Sequence, residues 1–336
     1  MEVSLTSVIY LIIVLLLAWF YDFINGMNDC ANSIATTVST RALKPHQAVI
    51  LAATLNIIGA FITTEVAKTI GKGIVEPQFV SGLVLVCALI GTNLWAFSAT
   101  HAGIPISITH SLIGGIIGSA VAARGFKVIN FRNITKIIIA MGVSPLLGFL
   151  SGLMLMVLIS WLFRSYAPNK INKHFKNLQI LSASFMALSH GMNDTQNAMG
   201  IITATLVSLG FISEFKVPTW VILGSALFMG LGTLFGGWRV IKTMGMKIVK
   251  LHPPHGFSAE TSAALVIIIA SLLGIPISTT HVISTSIMGV GSMQKISAVK
   301  WGIVFHIVLT WIFTIPGAAF LSAITYKILS LIFQSM

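Results

Sequence analysis

The sequence predicts an all-α polytopic membrane protein: two inverted transmembrane repeats with broken helices and re-entrant hairpins, in roughly ten passes. Three observations predict it. The 336-residue chain is 56% hydrophobic and only 8% charged, with a mean hydropathy of +0.95, whereas soluble domains carry about a quarter charged residues. Apolar runs long enough to cross a bilayer, about 20 residues each, begin near Leu5, Ala48, Phe79, Ile134, Ile180, Trp220, Ala263 and Trp301. The same short motifs also occur twice, in the same order.

The first apolar run follows Glu2 alone, without a basic leader, and runs straight into polar motif residues, so it reads as a retained helix rather than a cleaved signal. The twenty Lys and Arg give a formal net charge of +12. They sit in short clusters between apolar runs, which suits basic loops on the cytoplasmic side and excludes a nucleic-acid role, since no basic patch is interleaved with stacking aromatics. Cys30 and Cys87 offer neither a disulfide framework nor metal-ligand spacing.

The repeat rests on four landmarks. Gly26-Met27-Asn28-Asp29 returns 165 residues later as Gly191-Met192-Asn193-Asp194. Val66–Val75 returns as Val240–Val249, 174 residues on, and Gly103–His110 (GIPISITH) as Gly274–His281 (GIPISTTH), 171 residues on. Pro145 and Pro316 each stand 35 residues beyond the motif histidine of their half. The first repeat is thus residues 1–163, a basic, cytoplasmic linker 164–178, and the second, inverted repeat 179–336. Charge bias puts the N-terminus outside and the linker inside, which requires an odd number of passes per half. The basic stretch Arg124–Lys136 conflicts with five passes, and a re-entrant hairpin near the GIPIS motif is the alternative.

Chemistry concentrates in the paired motifs. Asp29 and Asp194 lie between long apolar stretches, where an ionisable group is expensive and faces a polar pathway. Gly26 and Gly191 are expected to interrupt their helices and free carbonyls. With the amides of Asn28, Asn32, Asn193 and Asn197 they describe an oxygen-lined cation site of the kind broken helices form in secondary transporters. The GIPIS segments suit the opposite charge. Pro105 and Pro276 are expected at the first helical position, with Ser107 and Thr109, or Ser278, Thr279 and Thr280, just inside a helix start that favours anions. His110 and His281 share a helix face with those serines and are supporting candidates, as is Glu260; Glu65 is undecided. Gly114/Gly118, Gly148/Gly152 and Gly232/Gly236 have the spacing of close helix packing. No Walker-type phosphate loop occurs.

Gly26–Pro45 (GMNDCANSIATTVSTRALKP), Ser189–Leu206 (SHGMNDTQNAMGIITATL) and Ala259–His281, with its AETSAALVIIIASLLGIPISTTH run, closely resemble the paired signatures of the inorganic phosphate transporter (PiT) family, in its short prokaryotic form. The resemblance covers nearly the whole chain. It implies symport of inorganic phosphate with sodium or protons, a homodimer in the cell membrane, and no cofactor. It also implies phosphate contacts from Ser107, Thr109, Ser278, Thr279, Thr280, Asn32, Gln196 and Asn197. Cation contacts fall to Asn28, Asp29, Asn193 and Asp194, with sodium as the candidate ion at the two aspartates.

Two other readings keep a membrane fold. One changes the cargo to sulfate or a metal–phosphate complex. The other makes the chain an enzyme, an intramembrane aspartyl protease; Tyr21-Asp22 matches half of such a motif, but no Gly-x-Gly-Asp partner occurs. The chain is expected not to be an enzyme.

Overall fold

The computed structural model describes residues 5–73 and 81–334, so Glu2, Glu76 and the start of the run near Phe79 lie outside it. All regular elements among the described residues are helical. The first half contains α1 (Leu5–Ser39), α2 (Pro45–Gly59), α3 (Glu65–Gly73), α4 (Gly82–Ala102), α5 (Ile108–Arg124) and α6 (Phe131–Leu162). The second contains α7 (Pro168–Asp194), α8 (Gln196–Ser208), α9 (Thr219–Phe235), α10 (Trp238–Lys242) continued by a π turn over Thr243–Lys247, α11 (Pro253–Leu272), α12 (Thr279–Gln294) and α13 (Trp301–Gln334).

The halves match element by element, with α7 and α8 together standing where α1 stands. Packing is reciprocal between them. Thr69 of the first half donates to the Gly274 carbonyl (2.7 Å), and Thr243 of the second donates to the Gly103 carbonyl (3.0 Å). Gly26 on α1 meets α9, where a Cβ would lie 2.2 Å from the Met229 oxygen, and Gly191 on α7 meets α2, 2.1 Å from the Asn56 oxygen. Gly114 and Gly118 likewise press α5 onto α13, while Gly148 and Gly152 press α6 onto α12. Small residues let helix backbones approach in this way where lipid supplies no hydrophobic drive between helices. Gly236 departs from the pattern: it ends α9 with φ +67°.

By length and apolarity α1, α4, α6, α11 and α13 each suffice to cross a membrane, and α9 with α10, bent by 62°, would make a sixth span. The large side chains exposed on α6 and α13, among them Leu146, Met154, Trp161, Ile312, Phe313 and Phe320, are those a bilayer would cover. Pro145 and Pro316 sit inside unbroken helices, as membrane helices tolerate when neighbours satisfy the freed carbonyl. The expected linker is mostly helix: α7 begins at Pro168, and its exposed first turns carry Lys170, Lys173 and Lys176. Proline at the first helical turn, where its missing N–H is harmless, explains that early start.

Two buried apolar clusters fill the interior. One takes Val14 to Ile24 from α1 together with Leu89, Ile113 and Ile202; the other takes Cys30 to Ala35 from α1 together with Met186, Ile267 and Ile287. Between these stretches α1 carries the buried polar residues Asn25, Asn28 and Asp29.

Candidate ion and oxyanion site

The paired motifs meet at this polar layer. The first GMND motif does not break its helix: α1 continues for 35 residues through Gly26 and Asp29. Gly191 also lies inside α7, and the break falls later, at Thr195 between α7 and α8. Both motif glycines are helical because their function is close approach to another helix, which leaves no room for a Cβ. The expected freed carbonyls are therefore absent at Gly26 and Gly191.

The GIPIS segments differ from expectation by a few residues. Positive-φ Gly103 and Gly274 close α4 and α11, extended backbone follows, and Pro105 and Pro276 precede the helix rather than opening it. Ser107 and Ser278 are the N-caps. Their Oγ atoms accept from the backbone N–H of His110 (3.1 Å) and His281 (3.2 Å), the preferred use of serine at this position. Each hydroxyl hydrogen remains to be donated. The helix starts they cap are buried.

One network joins α1, α7 and α12. Thr280 Oγ1 donates to Asp29 Oδ1 (3.0 Å), and Thr279 Oγ1 donates to Asp194 Oδ2 (2.9 Å) while standing 3.5 Å from Asp29 Oδ2. A hydroxyl has one hydrogen. With it given to a carboxylate, each threonine must accept from Asn32 Nδ2, at 3.2 Å from Thr279 and 3.0 Å from Thr280. That fixes the Asn32 amide and leaves its oxygen without a partner among the described residues. Asn197 behaves alike: Nδ2 donates to Thr109 Oγ1 (2.9 Å), tying α8 to the start of α5, and its oxygen has no partner among the described residues.

His190 completes the network. Its Nε2 lies 3.2 Å from Asp194 Oδ2 and 3.8 Å from Asp29 Oδ2. These three side chains present ligand atoms within 4.8 Å of one another, all buried. The two carboxylates, the Asn oxygens and the imidazole can hold a hard cation, which favours oxygen ligands. The capped helix starts can hold an oxyanion through backbone N–H groups. Sequence reasoning missed His190 as a site residue, although its spacing of four from Asp194 on a helix was a usable signal.

The remaining expected site residues are each held by partners of their own, some at the site and some away from it. Asn28 donates to Thr100 Oγ1 (2.8 Å) and the Ile104 carbonyl (3.4 Å), leaving Oδ1 unpartnered. Asn193, oriented to satisfy both of its groups, accepts from Ser271 (2.8 Å) and donates to Ile277 O (3.3 Å) and Asp194 Oδ1 (3.0 Å). Gln196 is withdrawn: Oε1 accepts from Ala67 N–H (3.0 Å) and Nε2 donates to Met192 O, stitching α8 to α3. His110 and His281 meet each other, ring centroids 4.7 Å apart, with His281 stacked on Trp311 at 3.9 Å. Glu260 forms a separate centre. It accepts from Thr36, Thr37 (2.7 Å), Gln179 (3.0 Å) and Ser182, binding α11 to α1 and α7. Glu65 is half-exposed and paired with Lys68 at 2.6 Å.

With this geometry in view, similarity to known proteins is extensive. A family model described as the phosphate transporter family matches residues 25–322. A relative from Rhizobium meliloti (strain 1021) is 46% identical over 311 residues, covering 92% of this chain and 93% of its own. One from Bacillus subtilis (strain 168) is 44% identical over 325 residues, covering 96% and 98%. Both carry the name "Probable low-affinity inorganic phosphate transporter". A solved structure, "The sodium-dependent phosphate transporter", superposes with a TM-score of 0.90 at 30% identity, over 96% of this chain and 99% of that one.

Proposed function

The chain belongs to the phosphate transporter family, and from that premise we propose that it imports inorganic phosphate across the cell membrane in symport with a cation, sodium before protons. It is a membrane transporter and not an enzyme. The observation that carries the cation reading is the Asp29–His190–Asp194 cluster: two buried carboxylates and one imidazole converge from two copies of one motif. Two carboxylates facing a single imidazole at this depth call for added positive charge, which a sodium ion would supply. The solved relative is described as sodium-dependent, which supports sodium as the ion.

Phosphate fits beside this cation, at the starts of α5 and α12, where capping leaves the Ser107 and Ser278 hydrogens for donation. Thr109 adds a third hydroxyl. Asn32 and Asn197 present oxygens rather than N–H groups, so they are assigned to the cation side, together with Asn28. Cation and anion then lie in contact, and each lowers the cost of burying the other.

The reciprocal packing of the halves supports inversion. So do two surface cavities at matched motifs. One, of about 730 Å³, borders Gly103-Ile104-Pro105 with Thr243 and Lys247, and the other, of about 360 Å³, borders Gly274-Ile275-Pro276 with Lys68 and Thr69. Inverted repeats would turn them to opposite faces as the two approaches to the site, each with a lysine to attract the anion. The homodimer belongs to the same proposal, and crosslinking in bilayers tests it.

The deciding experiment reconstitutes the protein in vesicles and follows labelled phosphate under a sodium gradient or a proton gradient. Concentrative uptake driven by sodium is expected, and sulfate in excess should compete poorly. Uptake that only equilibrates phosphate, indifferent to either gradient, overturns the symport reading.

A further inference from the structure

One buried acid has no part in the site described above. Asp22 lies on α1, fully buried, seven residues before Asp29 and therefore about 10 Å away along the helix axis. Neither of its carboxylate oxygens has a hydrogen-bond partner among the described residues, and no Lys, Arg or His there forms an ion pair with it. Around it other polar groups are equally unmet. Asn25, one turn along the same face, has both amide atoms unpartnered among the described residues, and the Ser225 hydroxyl is unpartnered there as well. Ser225 stands on α9 near the Asp22 carboxylate, but its hydroxyl makes no hydrogen bond to either Asp22 oxygen. Asn25 and Ser225 are fully buried too.

Such groups are ordinarily satisfied, and a buried carboxylate without a partner is among the most expensive of them. The oxygens available here are the two of Asp22, the Asn25 amide oxygen one turn along α1 and the Ser225 hydroxyl on α9. An anion is excluded by the carboxylate. One negative charge among neutral oxygen ligands matches a monovalent cation, and the Asn25 N–H can donate to a water in its shell.

The repeat sharpens the point. At the offset of the GMND motifs Asn25 corresponds to His190, and Asp22 to Ala187. The second half therefore places an imidazole beside its aspartate, whereas the first places an amide and a further acid. The halves are polar at the same depth but opposite in charge preference, so Asp22 is more than a relic of duplication.

We propose that Asp22, Asn25 and Ser225 form a second monovalent-cation site, two helical turns from Asp29 toward the N-terminus of α1. It extends the cation-coupled reading, yet its test reads ion binding without phosphate transport, so the two can fail separately. Labelled sodium is bound to the purified full chain in nanodiscs, without phosphate, for the wild type, Asp22→Asn, Asn25→Ala and Ser225→Ala. Asp22→Asn is expected to bind about one sodium fewer per chain at saturation. Ser225→Ala should raise the half-saturating sodium concentration about fivefold, the loss of one good oxygen contact. A wild type that binds no sodium overturns the proposal. An unchanged sodium count in folded Asp22→Asn does so as well, because it makes the carboxyl a proton carrier or a structural group. Should Asp22→Asn fail to fold, unchanged half-saturation in both Ser225→Ala and Asn25→Ala has the same effect. Failure of the symport reading appears instead in the wild-type vesicle experiment.

Discussion

His190 Nε2 lies 3.2 Å from Asp194 Oδ2, and the protein fixes which hydrogens that ring can carry. The other ring nitrogen, Nδ1, faces Asn56 Oδ1 at 3.1 Å. Asn56 must present its oxygen there, because its Nδ2 donates to Thr233 Oγ1 (2.9 Å), whose own hydrogen goes to the Met229 carbonyl (2.9 Å). Nδ1 therefore bears a hydrogen. A bare lone pair on Nε2 would then face an ionised oxygen, which is repulsive, so a proton or a cation must stand between the ring and the two aspartates. One backbone carbonyl and two neutral side chains thus impose a demand for positive charge on the centre of the site.

The first prediction follows from that demand. His190→Gln and Asp194→Asn should each lower sodium-driven phosphate uptake more than tenfold, since removing one partner of a buried pair costs about 3–5 kcal/mol. The double variant should be no worse than the poorer single one, because both disrupt one interaction. Initial rates in reconstituted vesicles measure this, and strictly additive losses would show that the two residues act independently.

The Thr280 hydroxyl gives a second prediction. Thr280→Val keeps the side-chain shape but removes the donor to Asp29 and the acceptor for Asn32, leaving buried polar atoms unmet. A loss of about 1–3 kcal/mol in binding is expected, or roughly a five- to hundredfold rise in half-saturating sodium. Thr280→Ser should restore most of it. Sodium titration of labelled-phosphate binding reads both, and equal affinity in the valine variant would remove the hydroxyl from the site.

A third prediction separates Glu260 from transport chemistry. Its carboxylate has four donors from α1 and α7, so replacing one oxygen with an NH₂ group sets donor against donor. Glu260→Gln should lower stability by about 1–3 kcal/mol, seen as a lower melting temperature in detergent. Half-saturating phosphate in the surviving folded fraction should be unchanged. A large affinity change with no loss of stability would place Glu260 in the binding site instead.

Most of the architecture was legible before any coordinates. Asp29 and Asp194 stood out because charge inside apolar runs is rare, and the two GIPIS segments because Gly, Pro and Ser punctuate helix boundaries. What escaped were relations that depend on partners distant in sequence. Gln196 looked like a ligand beside Asp194, yet Ala67 and Met192 occupy both ends of its amide. Gly26 looked like a helix breaker, because glycine's conformational freedom is visible in a sequence and a neighbour's carbonyl is not. His190 went unassigned as a site residue because its role needs Asn56, 134 residues away, to hold the tautomer. Asn32 was assigned to both charges in turn, and only the hydroxyl hydrogens of Thr279 and Thr280 decide which end of its amide is free.

The glycines yield the last prediction. Alanine at Gly26 or Gly191 would put a Cβ 2.2 Å from the Met229 oxygen or 2.1 Å from the Asn56 oxygen. Neither obstacle is a flexible side chain, so helix must move away from helix. The cost of such overpacking is about 1–3 kcal/mol, set against a gain of up to about 1 kcal/mol in helix propensity. Gly142, inside α6 with nothing within 4 Å of its would-be Cβ, has the propensity gain without the clash. Gly142→Ala should therefore raise the melting temperature slightly while Gly26→Ala and Gly191→Ala lower it. Gly191→Ala should also impair transport, because Asn56 is the residue that holds His190 in place. Equal melting of all three variants would mean that the contacts between α1 and α9 and between α2 and α7 are loose enough to accept a methyl group, and the reciprocal packing of the two halves would then not be what fixes the site.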